Sequence, residues 1–260
     1  MPSSTPTPRS IVITGASSGI GEALAEAYAA PGVTLWLSGR NRRRLADVAA
    51  RCRDAGATVH ADTVDVTDRA AMRAWISRIG ALSGLDLIIA NAGISGGGSG
   101  IGDEDEEQVR DIFAVNMAGV LNTVLPALPL MAARDGGQIA IMSSMAGFRG
   151  MPSAPAYAAS KAAVLSYGDG LRGELRGSGI DVSVICPGFV KSRITDANDF
   201  PMPFFMPAEK AARIIQRGLQ RRHARIAFPR RMRAIMWLLA ALPAGLSDAI
   251  LSKAPRKRPS

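Results

Sequence analysis

Residue types that build disulfides and metal sites are scarce in this sequence. Its 260 residues include two cysteines and two histidines. Cys52 and Cys186 lie far apart in unlike contexts, which matches neither a disulfide framework nor a metal-ligand spacing. His60 and His223 have no cysteine or carboxylate cluster beside them, and neither is a candidate for hydrolase catalysis. We therefore expect no metal, and a reducing, cytoplasmic location.

We expect no export signal at the start of the sequence, and the charge of the chain is unevenly distributed. The first residues are rich in Ser, Thr and Pro without an apolar core behind a basic flank, so we expect a flexible tail over 1–8 rather than a signal peptide. Residues 230–260 contain seven Lys or Arg and one Asp, a net +6 of the total +9, which leaves +3 for the other 229 residues. Because most of the basicity belongs to this end, we expect no nucleic-acid partner for the domain.

Short apolar runs alternate with longer helical stretches over 9–229. Several runs are apolar without alternation, as is typical of strands covered on both faces. The predicted strands are 10–14, 33–38, 58–61, 85–90, 138–143, 181–186 and 225–228, and the predicted helices cover about 19–30, 41–55, 68–80, 105–133, 155–177 and 208–221. This alternation predicts an α/β fold: a single doubly wound Rossmann domain with a parallel seven-stranded sheet flanked by helices. Residues 230–260 form a C-terminal extension to it.

A glycine-rich turn follows the first predicted strand and leads into a helix. The turn runs Gly15, Ala16, Ser17, Ser18, Gly19, Ile20, Gly21. Glycine at 15 and 19 allows a sharp turn and close approach to a diphosphate, and the helix N-terminus offers free N–H groups and partial positive charge. Gly21 is expected to let the helix pack on the sheet. The strand–turn–helix context indicates a dinucleotide site, although the spacing differs from the common G-x-G-x-x-G fingerprint.

This turn, TGASSGIG, resembles that of the short-chain dehydrogenases/reductases, and later motifs over about residues 9–229 agree with it. They are Asn91-Ala92-Gly93 after the fourth strand, Asn116 in the next helix, Ser144 after the fifth strand, Tyr157-x-x-x-Lys161 and Pro187-Gly188 after the sixth strand. The resemblance implies that 9–229 is a catalytic domain of a homo-oligomer, a dimer or tetramer. It also implies cofactor contacts from the Asn91–Gly93 motif, from Asp65-Val66, and from Pro187, Gly188, Val190 and Ser192. Ser192 replaces the Thr of the family pattern but keeps the hydroxyl.

The end of the second strand bears on the choice of cofactor. In an NAD-preferring fold an acid near this point binds the ribose 2′-hydroxyl. Here the strand ends Leu37-Ser38-Gly39-Arg40, with glycine where the resemblance would place the Asp. An arginine can bind a 2′-phosphate through charge and bidentate hydrogen bonds. We therefore predict NADP(H) as the cofactor, bound in part by Arg40.

Tyr157 and Lys161 are four residues apart, so they share one face of a helix. Hydride transfer to a carbonyl needs a proton donor at the developing alkoxide, and oxidation of an alcohol needs the reverse. A free tyrosine has a pKa near ~10, and a nearby ammonium with the oxidised nicotinamide would lower it. Ser144 can orient the substrate oxygen. By resemblance Lys161 also binds the nicotinamide ribose, and Asn116 anchors a water through its backbone.

The segment of about 189–207 is predicted to be a lid over an apolar substrate, with packing of the loop into the core as the alternative. It contains Phe189, Phe200, Met202, Phe204, Phe205 and Met206. The expected substrate contacts are Ser144, Met145, Tyr157, Phe189, Phe204 and Phe205. A bulky or lipid-like carbonyl or alcohol is the predicted ligand class.

The C-terminal extension allows two interpretations. Arg230–Arg233 precedes the apolar run Ala234–Leu242, and Arg256-Lys257-Arg258 follows near the end of the chain. Nine apolar residues are too few to cross a bilayer. The segment could lie on an anionic membrane surface, or pack in a subunit interface or on its own domain, which we favour.

We thus predict an NADP(H)-dependent oxidoreductase acting on ketones, aldehydes or secondary alcohols, with Tyr157 as general acid and base. The alternative is a non-catalytic Rossmann protein that senses nucleotides or acts as a scaffold, using its basic tail to bind a partner, a membrane or RNA.

Overall fold

The computed structural model describes residues 8–96, 104–196, 198 and 200–252. Seven parallel strands form one sheet in the order β3-β2-β1-β4-β5-β6-β7. The strands are β1 (Ser10–Thr14), β2 (Thr34–Ser38), β3 (Thr58–Asp62), β4 (Leu87–Ala90), β5 (Gly137–Met142), β6 (Ile180–Pro187) and β7 (Arg225–Phe228). The predicted seven-stranded parallel sheet is therefore confirmed, with strand ends shifted by at most two residues.

Helices cover both faces of the sheet. They are α1 (Gly19–Tyr28), α2 (Arg42–Asp54), α3 (Arg69–Ser83), α4 (Glu106–Phe113), α5 (Gly119–Val124), α6 (Ala127–Ala132), α7 (Pro155–Glu174), α8 (Arg193–Asp196), α9 (Ala208–Gln220), α10 (Arg230–Ala241) and α11 (Ala244–Leu251). One apolar cluster packs α1, α2 and α9 on one face, and a second packs α3, α5 and α7 on the other. The central strands bury side chains on both sides, which is why their sequences are apolar without alternation.

The helix predicted over 105–133 is interrupted. A π-helical turn, Ala114–Ala118, follows α4, and the amide of Gly119 donates to the carbonyl oxygen of Ala114. Glu106–Ala132 is long and apolar enough to cross a membrane by length and composition alone. Because its segments contact α3, α7 and β4, it has the surroundings of a core helix.

The order of the strands sets the position of the site. The chain passes from β1 outward to β2 and β3, then returns to β4 on the other side of β1. The connections after β1 and β4 therefore leave in opposite directions and open a crevice at the carboxyl ends of these strands, where doubly wound sheets bind ligands. The predicted site residues lie at or after the carboxyl ends of the strands β1 to β6.

The C-terminal extension folds back onto the domain as far as the structure describes it. Met236, Leu239 and Leu251 are buried in a small cluster with Met145, and Arg149 donates to the hydroxyl of Ser247. Met232 packs over Gly188. The extension thus covers the turn after β5 and the loop after β6. This contact is the self-packing anticipated for it, although it covers only one face of α10.

Candidate active site

The glycine turn has the backbone that its sequence predicts. Gly15 and Gly19 have φ angles of 66° and 59°, a region in which a side chain is strained. A Cβ atom on Gly21 would lie 2.3 Å from the carbonyl oxygen of Gly15 and 2.5 Å from Nδ2 of Asn91. Gly21 thus lets α1 approach the turn and the end of β4, rather than the sheet face that we expected.

Thr14 and Asn91 join the ends of β1 and β4. The Thr14 hydroxyl accepts the amides of Asn91 and Ala92, each at 3.1 Å. In return, the Asn91 side chain donates to the carbonyl oxygens of Thr14 and Gly15 at 2.9 and 3.3 Å. The side-chain amide of Asn91 therefore holds the turn in shape, and its contact with the cofactor stays a prediction.

The N-terminus of α1 offers backbone donors for an anion. Ser18 is the N-cap residue, and its side chain makes no capping hydrogen bond. The Ser18 side chain therefore does not take up the first amides of the helix. This is the donor set that a dinucleotide diphosphate needs, so the residues present fit that group.

Arg40 lies directly after β2 and is exposed. Among the described residues it has no hydrogen-bond or ion-pair partner. Gly39 precedes it, and a Cβ atom there would lie 3.0 Å from both Cβ and Oγ of Ser17. Any side chain at position 39 would require Ser17 to shift by a few tenths of an ångström. This edge of the crevice thus presents the exposed arginine and a glycine in place of the acid.

Asp65 and Val66 follow β3 in different environments. The Asp65 carboxylate accepts the amide and the hydroxyl of Thr67, each at 2.9 Å. Val66 is buried, and Asn122 donates to its carbonyl oxygen at 2.9 Å. The pair thus forms a fixed rim beside the crevice.

Ser144, Tyr157 and Lys161 come together although they lie on two elements. Ser144 caps the 3₁₀ turn Met145–Phe148 by accepting the amide of Ala146 at 3.1 Å. The hydroxyl of Ser144 lies close enough to that of Tyr157 to lower the pKa of the tyrosine. Lys161 lies one turn further along α7, with its Nζ atom 5.8 Å from the centre of the Tyr157 ring.

The environment perturbs both titrating groups. Burial of its hydroxyl raises the pKa of Tyr157, and the hydrogen bond from Ser144 opposes that rise. Lys161 is 3% exposed, and burial lowers its pKa to about 8, with the Cys186 thiol acting in the opposite direction. Its ammonium donates to the carbonyl oxygen of Met142 at 3.1 Å. The groups of the chain alone therefore do not lower the tyrosine pKa in the way expected from the sequence.

Asn116 occupies the π-helical turn and is fully buried. Its amide donates to the Ile94 carbonyl at 2.9 Å and to Ser160 Oγ at 3.0 Å, and its Oδ1 atom accepts the Ile94 amide at 2.8 Å. A Cβ atom on Gly93 would lie 3.1 Å from this oxygen and 3.2 Å from Lys161 Nζ. The side chain of Asn116 thus holds the segment that follows β4 beside Lys161.

The loop after β6 closes the cofactor side of the crevice. A Cβ atom on Gly19 would lie 2.8 Å from Cβ of Ser192, so the loop that begins at Pro187 and Gly188 brings Ser192 against the glycine turn. Val190 and Met206 form a β-bridge and are buried in the main core. Met206 is therefore a core residue and not part of a lid, because its backbone is tied to Phe189 and Lys191.

The aromatic residues of this loop have unequal surroundings. Phe189 and Phe200 form an edge-to-face pair with ring centres 6.0 Å apart. Phe204 and Phe205 are 41% and 45% exposed. Their contact with a substrate, and that of Met145, which is buried under α10, stays a prediction.

Three supporting residues escaped the sequence analysis. Ser143 donates to the Lys161 carbonyl oxygen at 2.7 Å, and Glu104 accepts the Ala156 amide at 3.1 Å at the start of α7. Arg149 joins the catalytic turn to α11. Ser143 was adjacent to a predicted residue, but nothing in the sequence links Glu104 or Arg149 to α7 or α11.

Comparison with known proteins identifies the architecture. A family model described as short chain dehydrogenase matches residues 9–200. The chain belongs to the short-chain dehydrogenase/reductase family. An uncharacterized oxidoreductase of Myxococcus xanthus is 39% identical over 245 residues, which is 93% of this chain and 95% of that protein. The chain is thus an oxidoreductase of this family.

Two solved structures resemble the whole fold. A short-chain dehydrogenase/reductase from Burkholderia phymatum in complex with NAD is 27% identical, with a TM-score of 0.82 over 97% of this chain and 98% of its own. A short-chain dehydrogenase from Sphingobium yanoikuyae in complex with NADPH is 28% identical, with a TM-score of 0.80 over 98% and 99%. Of these two structural neighbours of the chain, one binds NAD and the other NADPH.

Proposed function

We propose that this chain reduces a ketone or aldehyde, or oxidises a secondary alcohol, with NADP(H) as cofactor and Tyr157 as general acid and base. The observation that carries the proposal is the meeting of Ser144, Tyr157 and Lys161 at the carboxyl edge of the sheet. A non-catalytic nucleotide sensor would not need this arrangement.

A bound nicotinamide dinucleotide supplies or accepts the hydride. The chain's part is to hold it: the amides at the start of α1, which the Ser18 side chain does not cap, suit the diphosphate, and the positive φ angles of Gly15 and Gly19 allow the tight turn before them. Ser192, close to Gly19, keeps the hydroxyl that the family resemblance assigns to the carboxamide.

Ser144 and Tyr157 present two hydroxyls to one substrate oxygen. In reduction, the carbonyl carbon gains the hydride, and the proton of Tyr157 passes to the oxygen to complete the alcohol. In oxidation, the phenolate of Tyr157 takes the alcohol proton back. The single hydroxyl proton of Ser144 favours the phenolate when it is donated to Tyr157, and it orients the substrate oxygen when it is donated there instead.

Lys161 contributes charge close to the reacting proton. A pKa of about 8 leaves it mostly protonated at neutral pH but able to exchange its proton readily. Because burial raises the tyrosine pKa, the phenolate would need further stabilisation from the positive charge that an oxidised nicotinamide supplies when it is bound. By the family resemblance, Lys161 would also bind the nicotinamide ribose.

The preference for NADP(H) is supported at the end of β2. Arg40 is exposed without a partner among the described residues, and glycine stands at position 39, where the family resemblance places the acid of NAD-preferring members. The NADPH complex of the Sphingobium protein agrees with this choice, whereas the Burkholderia protein holds NAD. An apolar carbonyl compound is the proposed substrate class, and the homo-oligomer and the cytoplasmic location stay predictions.

The direct test is NADPH consumption against a panel of apolar ketones and aldehydes. Tyr157→Phe removes only the hydroxyl and should lower turnover by roughly 10²–10⁴-fold while NADPH binding, followed by fluorescence titration, is retained. Tyr167→Phe is the matched control: it lies on the same helix, and its hydroxyl has no hydrogen-bond partner in the described structure.

Two outcomes would contradict the proposal. One is the absence of turnover with every compound by a protein that binds NADPH. The other is equal turnover by wild type and Tyr157→Phe.

A further inference from the structure

The outer faces of α10 and α11 expose large apolar side chains. Five of them are at least half exposed: Ile235 50%, Trp237 68%, Leu238 57%, Leu246 58% and Ile250 51%. The inward face of α10, with Met236 and Leu239, is already used against Met145. Residues 234–247 contain no charged side chain, so the part of α10 that follows Arg233 is apolar on both faces. A helix of this kind needs cover on its second face.

The charges around this surface are of one sign. Arg230, Arg231 and Arg233 are exposed at the start of α10, and in the described part of the chain none of them has an ion-pair partner. Residues 230–260 carry a net charge of +6, with Asp248 as their single acid. An apolar surface bordered by unpaired cations is complementary to a layer of anionic headgroups over acyl chains.

We propose that the outer face of α10 and α11 docks on an anionic lipid surface. α10 has 12 residues, a length of about 18 Å, so it lies in the interface and does not span the bilayer. A second copy of the chain is the less suitable occupant, because a symmetric contact would bring another +6 to the same place and offer one acid per extension. The proposal does not rest on the reaction.

The docked face lies close to the catalytic turn. Met236 and Leu239 pack on Met145, the residue after Ser144, and Met232 packs on Gly188. Docking through the outer face of α10 therefore holds the substrate side of the crevice near the lipid surface.

Tryptophan fluorescence offers a specific readout. Trp36 and Trp75 are 2% and 4% exposed, whereas Trp237 is 68% exposed. Adding vesicles of phosphatidylcholine and phosphatidylglycerol to the full chain should shift the emission to the blue and bring the protein down in co-sedimentation. Vesicles of phosphatidylcholine alone should bind much less, and salt should weaken binding to the anionic vesicles.

Two sets of substitutions separate the apolar and the charged contributions. Trp237→Ser with Leu238→Ser should weaken vesicle binding by about tenfold or more. Arg230→Gln, Arg231→Gln and Arg233→Gln together should weaken it roughly 100-fold, at about fivefold for each charge. Leu82→Ser with Arg69→Gln and Arg73→Gln is the matched control on α3, where Leu82 is 67% exposed, and it should bind as wild type does.

Failure is equally clear. No sedimentation with anionic vesicles, or the same loss of binding in the α3 control, overturns the proposal. So does a vesicle-independent dimer in analytical ultracentrifugation that Trp237→Ser with Leu238→Ser converts to monomer, since a second copy would then be the occupant. The blue shift must depend on vesicles, because a dimer would show it without them.

Discussion

At the carboxyl edge of the sheet polar side chains are buried, and in the C-terminal extension apolar side chains are exposed. Asn116 and Lys161 are 0% and 3% exposed, whereas Trp237 and Leu238 are 68% and 57% exposed. Burying polar groups is unfavourable unless partners are provided, and exposing apolar groups is unfavourable unless something covers them. The first region supplies its partners from within the chain, through Ile94, Ser160 and Met142.

This contrast separates two kinds of functional surface. At the site edge, Ile94, Ser160 and Met142 of the same chain accept or donate the hydrogen bonds of the buried polar side chains Asn116 and Lys161. In the extension, contacts within the chain bury only one face of α10, and by our proposal a lipid surface covers the other face. Three changes test whether the two regions differ in this way.

The largest expected effect concerns the buried lysine. Burial lowers the pKa of Lys161 from 10.5 to about 8, so between these values the unfolded chain binds more protons than the folded one. The resulting destabilisation is complete below about pH 8 and is relieved as the pH rises towards 10.5. Relative to Lys161→Met, wild type should therefore gain up to about 3 kcal/mol of unfolding free energy across this window.

Urea unfolding of both proteins from pH 7 to 10.5 measures this difference. Trp237→Ser is the comparison from the extension: it changes an exposed apolar residue and should leave the pH dependence of wild type intact. A constant difference between wild type and Lys161→Met at all pH values would show that the lysine is not desolvated as described.

The second effect is steric. Gly21→Ala places a methyl group 2.3 Å from the Gly15 carbonyl oxygen, so the turn must shift. We expect a loss of about 1–3 kcal/mol in stability and weaker NADPH binding in calorimetry. In the extension, Gly245→Ala meets nothing within 4 Å and should be neutral or slightly stabilising. If the two variants lost the same stability and the same NADPH affinity, the glycine turn would not be more closely packed than the extension.

The smallest effect compares two exposed arginines. Arg40→Asp should weaken NADPH binding roughly 10- to 100-fold and leave NADH binding almost unchanged, because only NADPH carries the 2′-phosphate. Arg233→Asp in the extension should leave both affinities unchanged. An equal loss of NADPH and NADH affinity in Arg40→Asp would assign the arginine to a general structural role.

The short motifs were predictable because their chemistry is local. Gly15 and Gly19 follow a strand directly, and a helix begins within the same few residues, so the turn and its anion site could be inferred from neighbours in sequence. The spacing of Tyr157 and Lys161 likewise follows from helical geometry. Strand runs such as 87–90 were recognisable because both faces of a central parallel strand are buried.

Other features depend on contacts between distant segments. The π-helical turn around Asn116 leaves no mark in the apolar periodicity, and Glu104 meets α7 only after the chain has passed β5. Gly21 was assigned to the sheet because its true neighbours, Gly15 and Asn91, come together only when β1 and β4 pair.

The sequence by itself determined the order of strands and helices, the glycine turn, and the identity of the residues that follow each strand, since these depend on local periodicity and backbone freedom. Tertiary structure decided which of those residues meet, that Lys161 is desolvated enough for its pKa to fall, and which face of α10 stays uncovered. Whether a side chain is buried and finds hydrogen-bond partners depends on the residues packed around it. Residues distant in sequence become such neighbours only when the strands of the sheet pair.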